Sequence, residues 1–296
     1  MILSTLMLHA ALAAAGPDAV AAHTAEVEDW RARRIARLTE PYGWLSLVGL
    51  HWLDGEGPWT LGSGADQDVV LAIGPDRLGT LRRDADGAFQ LDLEAGVDAR
   101  IGDSDARVAR LSDGRDAPPT FVHVGDARMV LMRRGDLHAL RVWDPESPVR
   151  TGFAGIDHYP VDIAWRFDAH WHAFPEPRAI EIVDVNGMVN PMRNPGRVEF
   201  EVDGRGFSLD AVHEEGDSQL FLILADRTSG RETYGAGRFL YTALPDDNDR
   251  VVVDFNRAYN PPCAFTEFST CPLPPPQNRL DLPVTAGEKR YRGGAR

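Results

Sequence analysis

The chain has few cysteines, almost no lysine and none of the common catalytic motifs. Cys263 and Cys271 are its only cysteines, and Lys289 is the single lysine among 31 basic residues. Two cysteines alone do not complete a tetrahedral zinc site. The sequence also lacks a Gly-x-Ser-x-Gly elbow, a phosphate-binding glycine loop and a His-Glu-x-x-His motif. These absences remove the usual signatures of hydrolases, nucleotide-binding proteins and zinc proteases, and no cofactor is predicted.

The charge balance argues against nucleic acid and anionic lipid as partners. The net charge is −14 over 296 residues, so a general affinity for polyanions is not expected. Because nearly every basic residue is arginine, which a GC-rich coding bias explains, no single arginine is a functional signal by type alone.

The first residues resemble a secretory signal. Residues 2–15 are largely apolar and are followed by small residues, with cleavage expected after Ala15 or Ala21. The run is too short for a membrane span, and no other stretch is long and apolar enough. We therefore expect a signal peptide over residues 1–21 and a periplasmic or secreted protein.

The remaining pattern predicts an all-β protein with one N-terminal helix. Thr24 is the expected N-cap, and the helix should end before Pro41. Short apolar runs follow, and apolar residues alternate with polar ones from Val161 to Ala173, which is typical of a long strand. Residues 197–255 predict an antiparallel meander, with a hairpin turn at Asp203-Gly204.

Two halves are expected. Residues 24–144 should contain the helix and a β-sandwich, and residues 149–292 a larger antiparallel sheet or partial barrel that ends in a proline- and cysteine-rich loop. Residues 145–148, Pro-Glu-Ser-Pro, are the predicted boundary.

The chain contains a series of distinctive motifs: Gly43-Trp44-Leu45, Leu47-Val48-Gly49-Leu50, Trp52-Leu53, Leu61-Gly62-Ser63, Asp226-Arg227-Thr228-Ser229-Gly230, Thr233-Tyr234, Gly237-Arg238-Phe239-Leu240, residues 254–265, Cys271-Pro272-Leu273-Pro274-Pro275, Asn278-Arg279-Leu280 and Gly287-Glu288-Lys289. Together they resemble the uncharacterised bacterial family known as domain of unknown function 1684. The resemblance covers roughly residues 30–291. It implies that these segments cluster in the fold, and it transfers no catalytic residue because the family has no established activity.

Residues 61–92 are similar to the early strands of forkhead-associated β-sandwiches. Phosphothreonine-binding members carry arginine where this chain has Ser63, and they carry a downstream histidine, whereas no histidine lies between His51 and His123. The resemblance therefore implies a sandwich fold for the N-terminal half, and no phosphopeptide binding is expected.

A dense group of polar residues in two of the family motifs predicts a ligand site. Guanidinium groups beside tyrosine and asparagine suit a small anionic or hydroxyl-rich ligand. The alternative is a buried polar network that satisfies the backbone of an irregular loop. The candidate ligand-binding residues are Thr233, Tyr234, Arg238, Asn256, Arg257, Tyr259 and Asn260.

Cys263 and Cys271 predict a local disulfide, because neighbouring cysteines of an exported protein are oxidised in the compartment that it enters. A catalytic Cys263 thiol is the alternative, with Asp226 or Asp254 as acid–base candidates. His170 and His172 share one face of the long strand and could chelate a metal, but no third ligand can be placed, so a solvated polar face is favoured.

The sequence predicts an exported protein that binds a small molecule. The alternatives are a hydrolase-type enzyme that uses one of these carboxylates or Cys263, and a structural envelope protein.

Overall fold

The structure is a computed structural model that describes residues 16–293. Helix α1 spans Pro17–Leu38, with Gly16 as N-cap and proline in the first turn. The expected N-cap at Thr24 is wrong, because the N-cap is Gly16, eight residues earlier, where Pro17 supplies a preset helical φ and alanines follow. Residues 1–15 of the expected signal peptide lie outside the described residues, and the second expected cleavage position, after Ala21, falls within α1. Between residues 16 and 293, no helix is long and apolar enough to cross a membrane.

The buried residues of α1 recur at helical spacing but are mostly polar. Val27 and Leu38 pack in the interior together with His23, Arg31 and Arg34. The three polar side chains need buried partners, which the C-terminal half supplies.

The N-terminal half consists of ten strands. They are β1 (Leu47–Trp52), β2 (Trp59–Gly62), β3 (Val69–Val70), β4 (Gly79–Arg83), β5 (Phe89–Leu93), β6 (Ala99–Ile101), β7 (Val108–Leu111), β8 (Phe121–Val124), β9 (Ala127–Arg134) and β10 (Leu137–Trp143).

These strands form two five-stranded sheets, in the orders β1-β10-β9-β8-β6 and β3-β2-β4-β5-β7. Leu81 and Leu91 of one sheet and Met129 and Leu140 of the other are fully buried in one apolar cluster. The expected sandwich is therefore present, and its likeness to the forkhead-associated fold stays a prediction.

The C-terminal half has one short helix and six strands. They are α2 (Pro148–Thr151), β11 (Arg166–Val183), β12 (Val189–Val202), β13 (Arg205–Ala211), β14 (Gln219–Leu224), β15 (Arg238–Ala243) and β16 (Arg250–Asp254).

Strands β13-β12-β11-β16 form one antiparallel sheet, and β14 pairs with β15 in a second. The all-β class and the hairpin turn at Asp203-Gly204 are confirmed, and both turn residues have positive φ. The long strand is present but runs from Arg166 to Val183 rather than from Val161 to Ala173, because Ile163–Trp165 form a 3-10 turn before it. The prediction of a single meander is wrong, because β16 pairs with β11 at the edge of the first sheet and not with β15, which precedes it in the chain.

After β16, residues 255–293 contain only 3-10 turns and isolated bridges. This segment nevertheless supplies the fully buried residues Phe255, Phe265 and Glu288. Gly287 has a φ of 78°, and a side chain there would meet the Ala258 carbonyl at 2.4 Å, so glycine permits the close approach of two backbone segments. Parts of the irregular C-terminal segment are therefore buried, and its Asn260 and Glu288 contact α1 through Arg34.

Candidate functional site

Four of the seven predicted ligand-binding residues are buried within the protein. Thr233, Arg238, Asn256 and Asn260 have no exposed surface. Their side chains make hydrogen bonds to other parts of the chain, as the polar-network alternative describes. A ligand-binding role for these four residues stays a prediction.

Arg238 holds the C-terminal segment against β15. Its Nη2 donates to Asp226 Oδ2 at 2.8 Å and to the Val284 carbonyl at 3.0 Å, and its Nη1 donates to the Ala286 carbonyl. Asp226 is also buried and accepts from the Thr228 backbone and hydroxyl, and that hydroxyl contacts Thr233. The group is a buried ion pair in which the terminal nitrogens of Arg238 are hydrogen-bonded and its Nε has no partner among the described residues.

Asn256 and Asp254 form a second buried group. The Asn256 amide exchanges two hydrogen bonds with the Asp162 backbone, at 2.8 and 2.9 Å, and also donates to Asp254 Oδ1. Asp254 Oδ2 lies 2.9 Å from Nε2 of His23 on α1. A catalytic carboxylate must reach its substrate, and neither Asp226 nor Asp254 is among the residues that line the two clefts described below. Their role as acid–base candidates stays a prediction.

Glu288 is the centre of a third group. Its carboxylate accepts from the Asn260 backbone at 2.7 Å and from Arg34 Nε at 3.2 Å, and Arg34 also donates to the Asn260 carbonyl. Complete burial raises the pKa of Glu288, and the nearby Arg34 offsets this only partly. The Asn260 side chain donates to the Lys289 carbonyl at 2.8 Å.

The remaining predicted residues, Arg257, Tyr259 and Tyr234, are half-buried and line two separate clefts. The first, here called the arginine cleft, has a volume of about 540 Å³ and lies between α1, the β14–β15 hairpin and residues 257–262. It is lined by Arg33, Arg34, Arg37, Arg257, Trp30, Trp44, Phe221, Phe239, Tyr241, Tyr259, Gln219 and Pro262.

Aromatic rings form one wall of the arginine cleft. Tyr241 stacks on Phe221, with centroids 4.7 Å apart, and lies 6.4 Å from Tyr259. The guanidinium of Arg34 lies over the Tyr259 ring at 4.5 Å. Arg33 pairs with Asp29, and Arg257 with Glu26 and Asp254. Arg37 is exposed and makes no side-chain hydrogen bond or ion pair with any of residues 16–293.

The contribution of α1 to this cleft was not predicted from the sequence. Trp30, Arg33, Arg34 and Arg37 recur at three- and four-residue spacing, which places them on one face of a helix. That spacing was the available signal, and it was obscured because arginine is abundant throughout the chain.

The second cleft, here called the thiol cleft, has a volume of about 770 Å³. It is lined by Cys263, Ala264, Tyr234, Tyr291, the cations Arg231, Lys289, Arg290 and Arg292, and the acids Asp157 and Glu232. Tyr234 donates to the Cys263 carbonyl at 3.0 Å. Burial raises the pKa of Tyr234 to about 12, so its hydroxyl remains a donor at neutral pH.

Cys263 and Cys271 are both free thiols that meet at the side chain of Ser269. The Ser269 hydroxyl lies 3.0 Å from Cys263 Sγ and 3.6 Å from Cys271 Sγ, and the Cys263 backbone donates to Cys271 Sγ at 3.2 Å. Interaction between the thiols lowers the pKa of Cys263 and raises that of the more buried Cys271. The disulfide stays a prediction.

His170 and His172 lie exposed on the outer face of β11, opposite Glu199 and Arg197 of β12. Among residues 16–293, no group of three or more histidine, cysteine, aspartate or glutamate side chains is placed to hold a metal ion. The structure therefore adds no third ligand to this pair.

The fold and the two clefts define an all-β protein with an N-terminal sandwich and an antiparallel C-terminal half. Residues 151–289 match the family described as "Protein of unknown function (DUF1684)", which confirms the predicted family resemblance in this part of the chain. Both clefts draw most of their lining from it.

One solved structure is similar in sequence. The solution NMR structure of an uncharacterized protein from Haloarcula marismortui is 30% identical, and the match covers 49% of this chain and 80% of that chain, with a TM-score of 0.41. At this score the superposition supports no conclusion about the fold. No curated protein matches the chain.

Proposed function

We propose that the protein is an exported binding protein whose arginine cleft takes a small anionic ligand with an aromatic or other apolar portion. One observation carries the proposal. Four arginines and no acidic side chain line this cleft, in a chain whose net charge is −14. A local cationic site on an acidic protein favours an anion over a neutral molecule.

The arginines differ in their availability. Arg34 is bound to Glu288 and the Asn260 carbonyl. Arg257 pairs with the exposed Glu26 and also with the buried Asp254 at 3.4 Å. Arg33 makes an exposed ion pair with Asp29 that a ligand carboxylate can replace at little cost. The side chain of Arg37 makes no ion pair or hydrogen bond with the other described residues. Its planar guanidinium suits two-point binding of a carboxylate or a sulfonate.

The aromatic wall supports an apolar part of the ligand. Tyr241 is 47% exposed and Trp44 37% exposed, so both have ring surface to cover. Stacking on such rings adds to binding beyond the area that is buried, which favours an aromatic anion over a small inorganic one.

The experiment is isothermal titration calorimetry of the purified protein with 1-naphthoate, and with 1-naphthalenemethanol as an uncharged analogue of similar shape. We expect naphthoate to bind and the alcohol to bind at least about tenfold more weakly, because the alcohol makes no charge-assisted contact. Binding of naphthoate should weaken as salt increases. Glucuronate and glucose form the corresponding pair for a hydroxyl-rich ligand.

Arg37→Gln and Tyr241→Ala are the test variants, and each should weaken naphthoate binding by roughly tenfold. Arg115→Gln is the matched control, because Arg115 is an exposed arginine of the N-terminal half. Equal binding of the anion and the alcohol would contradict the proposal. Absence of binding by every probe would do so too, and would favour the structural envelope alternative.

Export is tested separately by expressing the full chain in a bacterium with an outer membrane. We expect the protein in the periplasmic fraction and a mature N-terminus at residue 16 or 22. An unprocessed N-terminus and recovery with the cytoplasm would contradict export without affecting the proposed ligand.

A further inference from the structure

The thiol cleft combines two neighbouring cysteines, a shared hydroxyl and an excess of positive charge. The loop that carries the cysteines is held at both ends. The Val185 backbone donates to the Cys271 carbonyl at 3.0 Å, the Leu273 backbone donates to the Val183 carbonyl at 2.8 Å, and Tyr234 holds the carbonyl of Cys263. The two sulfurs are therefore kept within reach of the same Ser269 hydroxyl.

The two thiols differ in access. Cys263 is half-buried and lines the cleft, whereas Cys271 is only 4% exposed and lies behind it. A molecule that enters the cleft meets Cys263 first. Cys271 can react only with a group already bonded to Cys263.

The charge of the cleft selects the reaction partner. Arg231, Lys289, Arg290 and Arg292 face Asp157 and Glu232, which leaves an excess of two positive charges from four cations and two carboxylates. Among the described residues, neither Arg290 nor Arg292 forms an ion pair that would neutralise it. Such a cleft raises the local concentration of anions.

We propose that the thiol cleft is a thiol–disulfide exchange site for small anionic disulfides, in which Cys263 attacks first and Cys271 completes the exchange. This inference is independent of the ligand proposed for the arginine cleft. The disulfide predicted from the sequence is then the oxidised product of the site.

The exchange balances without a further reagent. The Cys263 thiolate attacks one sulfur of the small disulfide, whose S–S bond breaks, and one half leaves as a thiolate. Cys271 then loses its proton to solvent and attacks Cys263 Sγ in the mixed disulfide, which releases the second half. Two cysteine thiols are oxidised to one disulfide, and the small disulfide is reduced to two thiols that take up the released protons.

The electrostatics of the pair agree with this order of attack. The thiolate is the reactive form, and the neighbouring Cys271 favours it at Cys263 by lowering its pKa. The rate of Cys263 alkylation by iodoacetamide should therefore rise with pH with a midpoint below that of a free cysteine, about 8.5.

The test uses reduced, full-length protein and two small disulfides of opposite charge, dithiodiglycolate and cystamine. Each rate is divided by the rate of the same disulfide with N-acetylcysteine amide, which removes differences in intrinsic reactivity. We expect dithiodiglycolate to react about tenfold faster than cystamine on this scale, with release of both halves and loss of both protein thiols. Similar normalised rates, or a protein that stays reduced, would overturn the proposal.

Variants separate the two roles of the cysteines. Cys271→Ser should stop at the mixed disulfide, seen by mass spectrometry as one added half, and Cys263→Ser should release neither half. Arg290→Gln should reduce the preference for the anionic disulfide, and Arg115→Gln should leave it unchanged. Equal reaction of Cys263→Ser and wild type would refute the assigned order, and circular dichroism confirms that each variant is folded.

Discussion

The two halves of the molecule are stabilised in different ways. Between residues 47 and 144, a fully described stretch, Gln67 is the only buried polar side chain, and the two sheets pack through an apolar cluster. The C-terminal half buries Asp226, Arg238, Asp254, Asn256, Asn260, Asn278 and Glu288.

The difference follows from backbone geometry. Strands satisfy their own backbone groups by pairing, so the sandwich needs only apolar side chains between its sheets. The buried parts of residues 255–293 make few ladder hydrogen bonds, and polar side chains must satisfy their carbonyls and amides instead. A high density of polar residues therefore marks buried irregular chain as readily as it marks a ligand site.

The largest loss of stability is expected when Arg238 is replaced. Arg238→Leu leaves Asp226 buried without its cation and the Val284 and Ala286 carbonyls without their donor, so we expect a loss of about 3–5 kcal/mol in the free energy of unfolding. Urea denaturation measures it. Arg250→Leu is the control, because its ion pair with Asp168 is exposed and should contribute less than about 1 kcal/mol. Similar losses in the two variants would show that the polar network is not needed for stability.

The sandwich should respond to loss of apolar volume instead. Leu140 on β10 is fully buried in the N-terminal cluster, and Leu140→Ala should cost about 2–4 kcal/mol through lost burial and the cavity that remains. Leu137→Ala is a matched control on the same strand, because Leu137 is 51% exposed. A loss for Leu140→Ala no greater than that of the control, in the same denaturation assay, would contradict the apolar origin of stability in this half.

Acidification should lower the stability of the C-terminal half through His158, whose backbone pairs with that of Glu288 in an isolated β-bridge. Burial, and then the nearby Arg31, lower the pKa of His158 to about 4. Between pH 6.5 and 4 the unfolded chain therefore binds a proton that the folded protein excludes, and stability falls as the pH drops through this window. After allowance for solvent screening, we expect His158 to account for about 1–2 kcal/mol of the loss.

The measurement is urea denaturation at pH 7 and pH 4.5 of the wild type and His158→Gln. The variant should lose less stability on acidification than the wild type by this amount. His170→Gln is the control, because His170 is exposed on β11. If both variants match the wild type at both pH values, His158 does not carry this pH dependence.

The fold was more predictable than the site. The alternation from Val161 to Ala173 and the Asp203-Gly204 turn predicted β11 and the β12–β13 hairpin, because a half-buried strand and a tight turn each leave a local pattern. The start of α1 was predicted too late, because Pro17 and the alanines that follow it were assigned to the signal peptide.

The site was less predictable because burial depends on partners far away in the sequence. Nothing near Asn256 shows that its amide will bind the backbone of Asp162, and nothing near Arg238 shows that three carbonyls of residues 284–288 will surround it. Polar residue type indicated that these positions matter, and only the structure distinguishes a ligand contact from an internal one.

The contacts of α1 have a consequence for the order in which the protein is made. His23 binds Asp254, which lies 231 residues later, and Arg34 binds Glu288, which lies 254 residues later. The ribosome makes this helix before either partner, so its buried polar groups lack these contacts until Asp254 and Glu288 have emerged. The helix must therefore dock late, after the strands of the N-terminal sandwich, which lie between it and its partners in the sequence, have been made.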